Sequence, residues 1–301
     1  MKPPVFDYQR ADSMAHACEL LSTCGDDVKI LAGGQTLIPM MNFRLARPKV
    51  LVDISNVPNR NLVSEEADGI RVAATTVQRF VEKSPAVQKR LPILFEAIQH
   101  IAHLQIRNKG TIGGSIVNAD PASELPAMSL VLDAEFEIMT SDETRVIPAE
   151  ELFVTYMTTS LGPDEILSSI FFREPPNNSG WGFHEVARRS GDYALAGSSA
   201  VITLDDAGVC TRARIALFGV SATPVRATEA EELLVGNAYS ATLVKEAALA
   251  IHNVVDPESD VHATKEYRRS VVEVLTARAI EDAFKSNGGT RRPPDDRPAK
   301  S

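Results

Sequence analysis

Ala32-Gly33-Gly34-Gln35-Thr36-Leu37 and Thr111-Ile112-Gly113-Gly114-Ser115 decide the reading of this chain of 301 residues. Glycine has no Cβ, so a loop of this kind can turn several backbone N–H groups toward one anion. Two such loops suggest a diphosphate gripped from two sides, which points to a dinucleotide cofactor. The bland alternative is a tight strand-to-helix connection, since Gly-Gly is common in turns. Gln35 and Thr36 add side-chain donors, and a helix opening at Leu37 would direct its positive end at phosphate.

The residues around these stretches read as mixed α and β structure. Residues 13–21 have helical apolar spacing with Ser13 as N-cap, residues 28–31 form a strand into the first loop, and residues 50–54 form another. Strands are expected at 69–74, 134–139 and 166–172, and helices at 76–82 and 91–103. Asn118 and Asp120 lie just after the second loop, on a turn set by Pro121. There the Asp120 carboxylate can accept from a ribityl or ribose hydroxyl, or it can cap a following helix. The Pro-Pro-Asn-Asn-Ser-Gly run at 175–180 marks a boundary. Beyond it, a hairpin turns at Asp205-Asp206-Ala207-Gly208, and helices are expected at 227–235, 240–253 and 264–284. The tail after Ser286 is glycine, proline and charge, a disorder-prone composition.

The net charge of −9 and a pI near 5.3 argue against nucleic acid as a partner. No run approaches the length of a membrane span, and Met1-Lys2-Pro3-Pro4 does not begin a signal peptide. The expected location is the cytoplasm, with attachment to the inner face of a membrane through partners left open. Cys18, Cys24 and Cys210 form no CxxC pair, so they read as reduced thiols rather than a metal or cluster site. No catalytic triad stands out among the scattered histidines, and no GxGxxG follows a strand.

Taken together, the motifs resemble the flavin-binding subunits of molybdenum hydroxylases, the family of the carbon monoxide dehydrogenase medium subunit and the FAD domain of xanthine dehydrogenase. The resemblance rests on residues 31–41 (LAGGQTLIPMM), 106–115 (IRNKGTIGGS), 119–126 (ADPASELP), 188–194 (RRSGDYA), 218–226 (FGVSATPVR) and 267–269 (YRR). It implies an α+β fold, with a two-subdomain FAD-binding half of the vanillyl-alcohol oxidase type over residues 1–176 (about 1–56 and 57–176). A C-terminal domain with a small antiparallel sheet and helices would span 177–285, and a disordered tail 286–301.

The same resemblance implies noncovalent FAD. Its pyrophosphate would sit between Ala32, Gly33, Gly34, Gln35, Thr36 and Leu37 on one side and Thr111, Gly113, Gly114 and Ser115 on the other. Asn118 and Asp120 would serve the ribityl or ribose region, Ile101 the isoalloxazine edge, and Tyr193 would approach the ring. The ordinary alternative for Tyr193 is a core tyrosine. Ala102 stands where relatives often have glycine, and His184 where several place a lysine near the flavin. No catalytic or metal residue is implied in this chain.

The implied partners are a large subunit with the molybdenum cofactor and a small subunit with two [2Fe–2S] clusters, in a dimer of heterotrimers. Electrons would pass from the clusters through FAD to NAD, a quinone or oxygen. Residues 91–105 are apolar and are expected either to face the iron–sulfur subunit or to pack in the core. The rival readings are a self-contained flavin oxidase and a flavin-free structural subunit.

Overall fold

The computed structural model describes residues 2–25 and 27–286; the tail expected after Ser286 lies outside the described residues. The chain opens with β1 (Asp7–Arg10), α1 (Met14–Cys24), β2 (Val28–Leu31), α2 (Leu37–Asn42) and β3 (Val50–Asp53). The strands form a parallel sheet in the order β1-β3-β2. Ser13 caps α1 by accepting the His16 N–H at 3.1 Å, and Ala17, Cys18 and Leu21 press the helix onto Val28 and Val52. β1 was not expected. Its sequence, Asp-Tyr-Gln-Arg, is polar because the strand lies at the sheet edge. The first glycine stretch leaves the carboxyl end of β2, where open α/β sheets hold their ligands.

A second sheet follows. β4 (Val63–Glu66) and β5 (Gly69–Ala73) precede six short helices: α3 (Gln78–Glu82), α4 (Pro85–Arg90), α5 (Pro92–His100), α6 (Leu104–Arg107), α7 (Ile112–Asn118) and α8 (Glu124–Val131). β6 (Glu135–Met139), β7 (Thr144–Pro148), the small hairpin β8 (Phe153–Thr155) and β9 (Thr158–Thr159), and β10 (Ile166–Arg173) complete it. The main sheet is antiparallel in the order β4-β5-β10-β6-β7.

The helix expected over 91–103 is shorter than its apolar pattern. Pro92 starts α5, and Ile101 leaves the helical conformation at its end. Leu91, Ile93, Leu94, Ala97 and Ile98 are fully buried, and within this stretch only Leu104 is a large exposed apolar side chain. The α5 part of the segment is therefore core, as one of the two readings had it, while Leu104 at its end is exposed.

The third sheet is formed by β11 (Ser179–Ala187), β12 (Ala194–Leu204), β13 (Cys210–Phe218) and β14 (Val225–Arg226), in that order and antiparallel. Helices α9 (Thr228–Leu234), α10 (Ala241–Ala250) and α11 (Lys265–Lys285) follow. Every residue of β12 is buried, because both faces of this sheet are covered. One face packs on the α9–α11 layer through Ala196, Ile202, Ile215 and Leu217. The other sends Phe183, Val201 and Phe218 into the core built around α5 and α8.

Candidate functional site

The first glycine stretch is a connection whose backbone is open. Gly34 has φ of 69°, and the Gln35 amide donates to the Gly33 carbonyl at 2.9 Å, which closes the turn locally. Among the described residues, none of the backbone N–H groups of residues 33–37 donates to a protein acceptor. Ile38 is the first to find one, the Gly34 carbonyl at 3.1 Å. Five consecutive free donors at a helix start are an anion-binding arrangement.

The second stretch is not a loop. Thr111 is the N-cap of α7, and Gly113 and Gly114 lie in its first turn. Each N–H from Ile112 to Ser115 already has a partner: Thr76 O, Ala74 O, the Thr111 hydroxyl and Thr111 O. Sequence reasoning treated Gly-Gly as a turn signal. Here the missing Cβ serves packing, since one on Gly113 would lie 2.7 Å from the Ala74 carbonyl. The donors this segment offers are the hydroxyls of Thr111 and Ser115, the latter 3.2 Å from the Ser123 hydroxyl.

The two stretches meet. A Cβ on Gly33 would lie 2.3 Å from the Lys109 carbonyl, so Gly33 lets the first segment press against the entrance to α7. A Cβ on Gly114 would sit 3.9 Å from that of Ala32. Asn118 ends α7, and Ala119 follows in the left-handed region at φ of 50°. Asp120 then accepts the Ala122 N–H at 3.0 Å, and Ser123, not Asp120, is the N-cap of α8. Burial pushes the Asp120 carboxyl above its ordinary range.

Tyr193 enters the same region from the third sheet. Its ring is 56% exposed, which argues against the plain core tyrosine. Its hydroxyl comes within reach of Thr36. Desolvation, with the negative field of Asp120 and Glu124, pushes the phenol up to about 12. An accessible ring whose hydroxyl is nonetheless desolvated describes the wall of a cleft. Thr36, Asp120 and Tyr193, more than 150 residues apart at the extremes, therefore surround one space.

Ile101 sits at the end of α5, 8% exposed. The next residue, Ala102, has φ of 43°, a conformation that glycine adopts without cost. Arg107 holds the turn by donating to the Ile101 carbonyl at 2.7 Å and the Ala102 carbonyl at 3.3 Å.

A charged cluster, invisible in the sequence, lies behind the cleft. His100 Nδ1 is 3.2 Å from Glu185 Oε1, and its Nε2 is 3.3 Å from Glu96 Oε1. Burial opposes the imidazolium, yet hydrogen bonds to the two carboxylates raise its pKa to about 9. Glu124, buried nearby at the start of α8, is pushed the other way, toward its neutral form, by burial and by the charge on Glu185. Glu185 Oε2 is buried with no hydrogen-bond partner among the described residues.

His184, the next residue back on β11, points to the opposite face of the sheet, with Nε2 2.8 Å from Asp282 on α11. Alternation along the strand sends position 185, not 184, toward α5. His100 and His103 do not share a helix face either, since one ends α5 and the other caps α6. Among the described residues no group of three or more His, Cys, Asp or Glu could hold a metal ion, and no helix is long and apolar enough to cross a membrane.

Comparison with known proteins bears on this geometry. Residues 4–174 match the model of the FAD binding domain in molybdopterin dehydrogenase. Residues 181–283 match that of the CO dehydrogenase flavoprotein C-terminal domain. The 6-hydroxypseudooxynicotine dehydrogenase complex subunit alpha of Paenarthrobacter nicotinovorans is 42% identical over 94% of this chain and 96% of its own length. The carbon monoxide dehydrogenase medium chain of Hydrogenophaga pseudoflava is 35% identical over 94% of this chain and 99% of its own. Among solved structures, carbon monoxide dehydrogenase from Hydrogenophaga pseudoflava superposes with a TM-score of 0.93 at 35% identity, covering 95% of this chain and all (100%) of that one. With both family models matched in order and relatives similar along almost their whole length, the chain belongs to the FAD-binding medium subunits of the molybdenum hydroxylases.

Proposed function

We propose that this chain relays electrons from the [2Fe–2S] clusters of a partner subunit, through FAD bound in the cleft, to an external acceptor such as NAD, a quinone or oxygen. The observation that carries the reading is the run of free N–H groups at residues 33–37, with Thr36 beside Tyr193 and the buried Asp120 nearby. An FAD pyrophosphate supplies the charge those donors lack. Ala32, Gly33, Gly34, Gln35, Thr36 and Leu37 would hold it, with the hydroxyls of Thr111 and Ser115 across from them. Gly113 and Gly114 let α7 start close by. Asn118 and Asp120 would meet the hydroxylated chain, with the Asp120 carboxylate accepting a hydrogen bond from a hydroxyl. Ile101 and Tyr193 would border the ring. Bound there, FAD would supply the ability to accept electrons singly and pass them on in pairs.

The partners in this reading are a large subunit with the molybdenum cofactor and a small iron–sulfur subunit, assembled as a dimer of heterotrimers. Relatives named for carbon monoxide and for a nicotine derivative match this chain over 94% of its length. One flavin subunit thus serves unlike substrates, and substrate choice belongs to the large subunit. The test is to purify the chain alone with FAD and supply the complex's substrate without oxygen. The flavin absorbance is expected to persist until the partner subunits are added. Bleaching of the isolated chain by substrate would establish a self-contained oxidase instead. A chain that stays colourless with excess FAD would establish a structural subunit.

Flavin affinity tests the residues. In Gly114→Val the new side chain meets the Thr111 hydroxyl, 2.6 Å from the added Cβ, and displaces the cap at the face toward Ala32. FAD is expected to bind about tenfold or more weakly, about 1.4 kcal/mol, while the secondary structure holds. Titration of the apoprotein by flavin fluorescence reads this. Unchanged affinity would remove α7 from the site.

A further inference from the structure

Just past the first glycine stretch the chain displays two large apolar side chains. Phe43, at the end of α2, is 67% exposed, and Leu45 is 77% exposed. They are held outward by a defined turn. The Arg44 N–H donates to the Met41 carbonyl at 3.0 Å, the Leu45 N–H to the Met40 carbonyl at 2.9 Å, and Arg47 Nε to the Arg44 carbonyl at 3.0 Å. Arg44 sits between the two side chains with φ of 61°, a left-handed conformation that costs energy for an arginine. An ordered turn that spends strain to expose a phenylalanine and a leucine is the mark of a surface that is covered in an assembly.

The charge around it is one-sided. From Asp27 to Asp53 the chain carries Lys29, Arg44, Arg47 and Lys49 and no acid between them, although the whole chain has a net charge of −9. Lys49 pairs with Asp27. Arg44 and Arg47 are exposed, and among the described residues they pair with no carboxylate. The segment that touches this one, through Gly33 on Lys109, is likewise free of acids from residue 97 to 119 and exposes Lys109 and Leu104.

We propose that the Phe43–Leu45 turn, with its rim of Arg44, Arg47 and Lys109, is the docking surface for the iron–sulfur subunit, which meets it with an apolar patch bordered by carboxylates. The inference rests on the relay reading. α2 starts at Leu37, where the free N–H run ends, so a protein seated on its far end is next to the proposed flavin site. Electron transfer from a cluster needs that adjacency. The apolar pair supplies contact area, and the unpaired arginines select an acidic partner and speed its approach.

The experiment co-expresses the three subunits of the complex with wild-type chain, with Phe43→Ser/Leu45→Ser, or with Arg44→Glu/Arg47→Glu. It measures subunit composition by size-exclusion chromatography, together with FAD content and the unfolding midpoint of each chain. Both double variants are expected to keep their FAD and their midpoint. The serine pair is expected to lose the iron–sulfur subunit, with affinity down at least tenfold. The glutamate pair should bind more slowly, with the salt dependence of association reversed. Retention of the iron–sulfur subunit at wild-type stoichiometry by both variants would overturn the docking surface and leave the relay reading standing. So would a change only in self-association, which would assign the turn to a second copy of this chain. A wild-type chain that never binds an iron–sulfur subunit would sink the relay reading and the docking surface together.

Discussion

Arg107→Ala is expected to destabilise the chain by about 3 kcal/mol, the low end for breaking a buried ion pair, because the carboxylate it leaves keeps only its more exposed partner. Arg107 is itself buried, with Nε 3.0 Å from Glu82 Oε2, and Glu82 is buried as well. Arg79 also reaches Glu82, at 2.6 Å, but from a more exposed position. Removing Arg107 therefore takes away the inner half of a three-member network and strips the Ile101 and Ala102 carbonyls of their donor. The left-handed turn at Ala102 then has less to hold it, so FAD affinity should fall beyond what global stability explains. Arg107→Lys should recover only part of either loss, because one ammonium cannot serve a carboxylate and two carbonyls with the geometry of a guanidinium fork. Urea unfolding of the apoprotein measures the first effect and flavin titration the second. A loss below about 1 kcal/mol, the scale of an exposed ion pair, would show that the network is not what fixes this turn.

Much of the fold was legible because local chemistry announced it. Ser13 stands where a cap was expected, accepting the His16 N–H, and the last helix begins where it was expected, with Thr264 capping it by accepting the Tyr267 N–H. The Asp205-Asp206-Ala207-Gly208 turn has Gly208 at φ of 79° and the Asp205 N–H on the Val209 carbonyl. β1 and β4 were missed because each lies at a sheet edge, where neither apolar alternation nor β-branched content is required. The second glycine stretch was misread because glycine is a poor helix former. Its use in α7 depends on the approach of Ala74, 39 residues earlier, which no local pattern records. Residues 91–105 were ambiguous for a physical reason: an apolar helix reads the same whether a partner or its own core covers it.

The site divides along the same line. The first glycine stretch and Asp120 were singled out from their own residue chemistry and Tyr193 from the family resemblance, whereas the charges behind them were not. His100 and Glu185 are 85 residues apart, and nothing in either neighbourhood marks them as a pair. Strand alternation, which the motif reading does not carry, puts His184 on the face of β11 toward Asp282 and Glu185 on the face toward His100. A motif fixes which residue occupies a position, but the pleat decides which face receives it.

The buried His100 cluster gives the chain a pH dependence whose sign follows from its two unusual groups. His100 rises from its ordinary 6.5 to about 9 in the folded chain. Its contribution is therefore full below about pH 6.5 and is lost as the pH climbs through about 9, an amount of about 3 kcal/mol at 1.36 kcal/mol per pH unit. Glu124 acts in the same direction. Its proton is held in the folded chain, by burial and by the charge on Glu185, after the unfolded chain has released its own. A destabilising penalty thus builds as the pH rises above the ordinary glutamate range. In both cases the folded state binds more protons than the unfolded one, so stability must fall with rising pH. The urea midpoint of the apoprotein is expected to drop clearly between pH 6 and pH 9. His100→Ala removes the cation that lies between Glu96 on α5 and Glu185 on β11. At pH 7 it should cost about 3–5 kcal/mol, since the buried Glu185 carboxylate loses the imidazolium beside it. It should also flatten the part of the slope that His100 supplies. Glu124→Gln cannot ionise, and it should raise the midpoint at pH 9 by more than at pH 6, where only part of the penalty has built up. Equal wild-type midpoints at pH 6 and pH 9 would mean that the imidazole is not charged in the fold. The seam between α5 and the third sheet would then have to be held by Phe183 and Phe218, stacked at 5.8 Å, without electrostatic help.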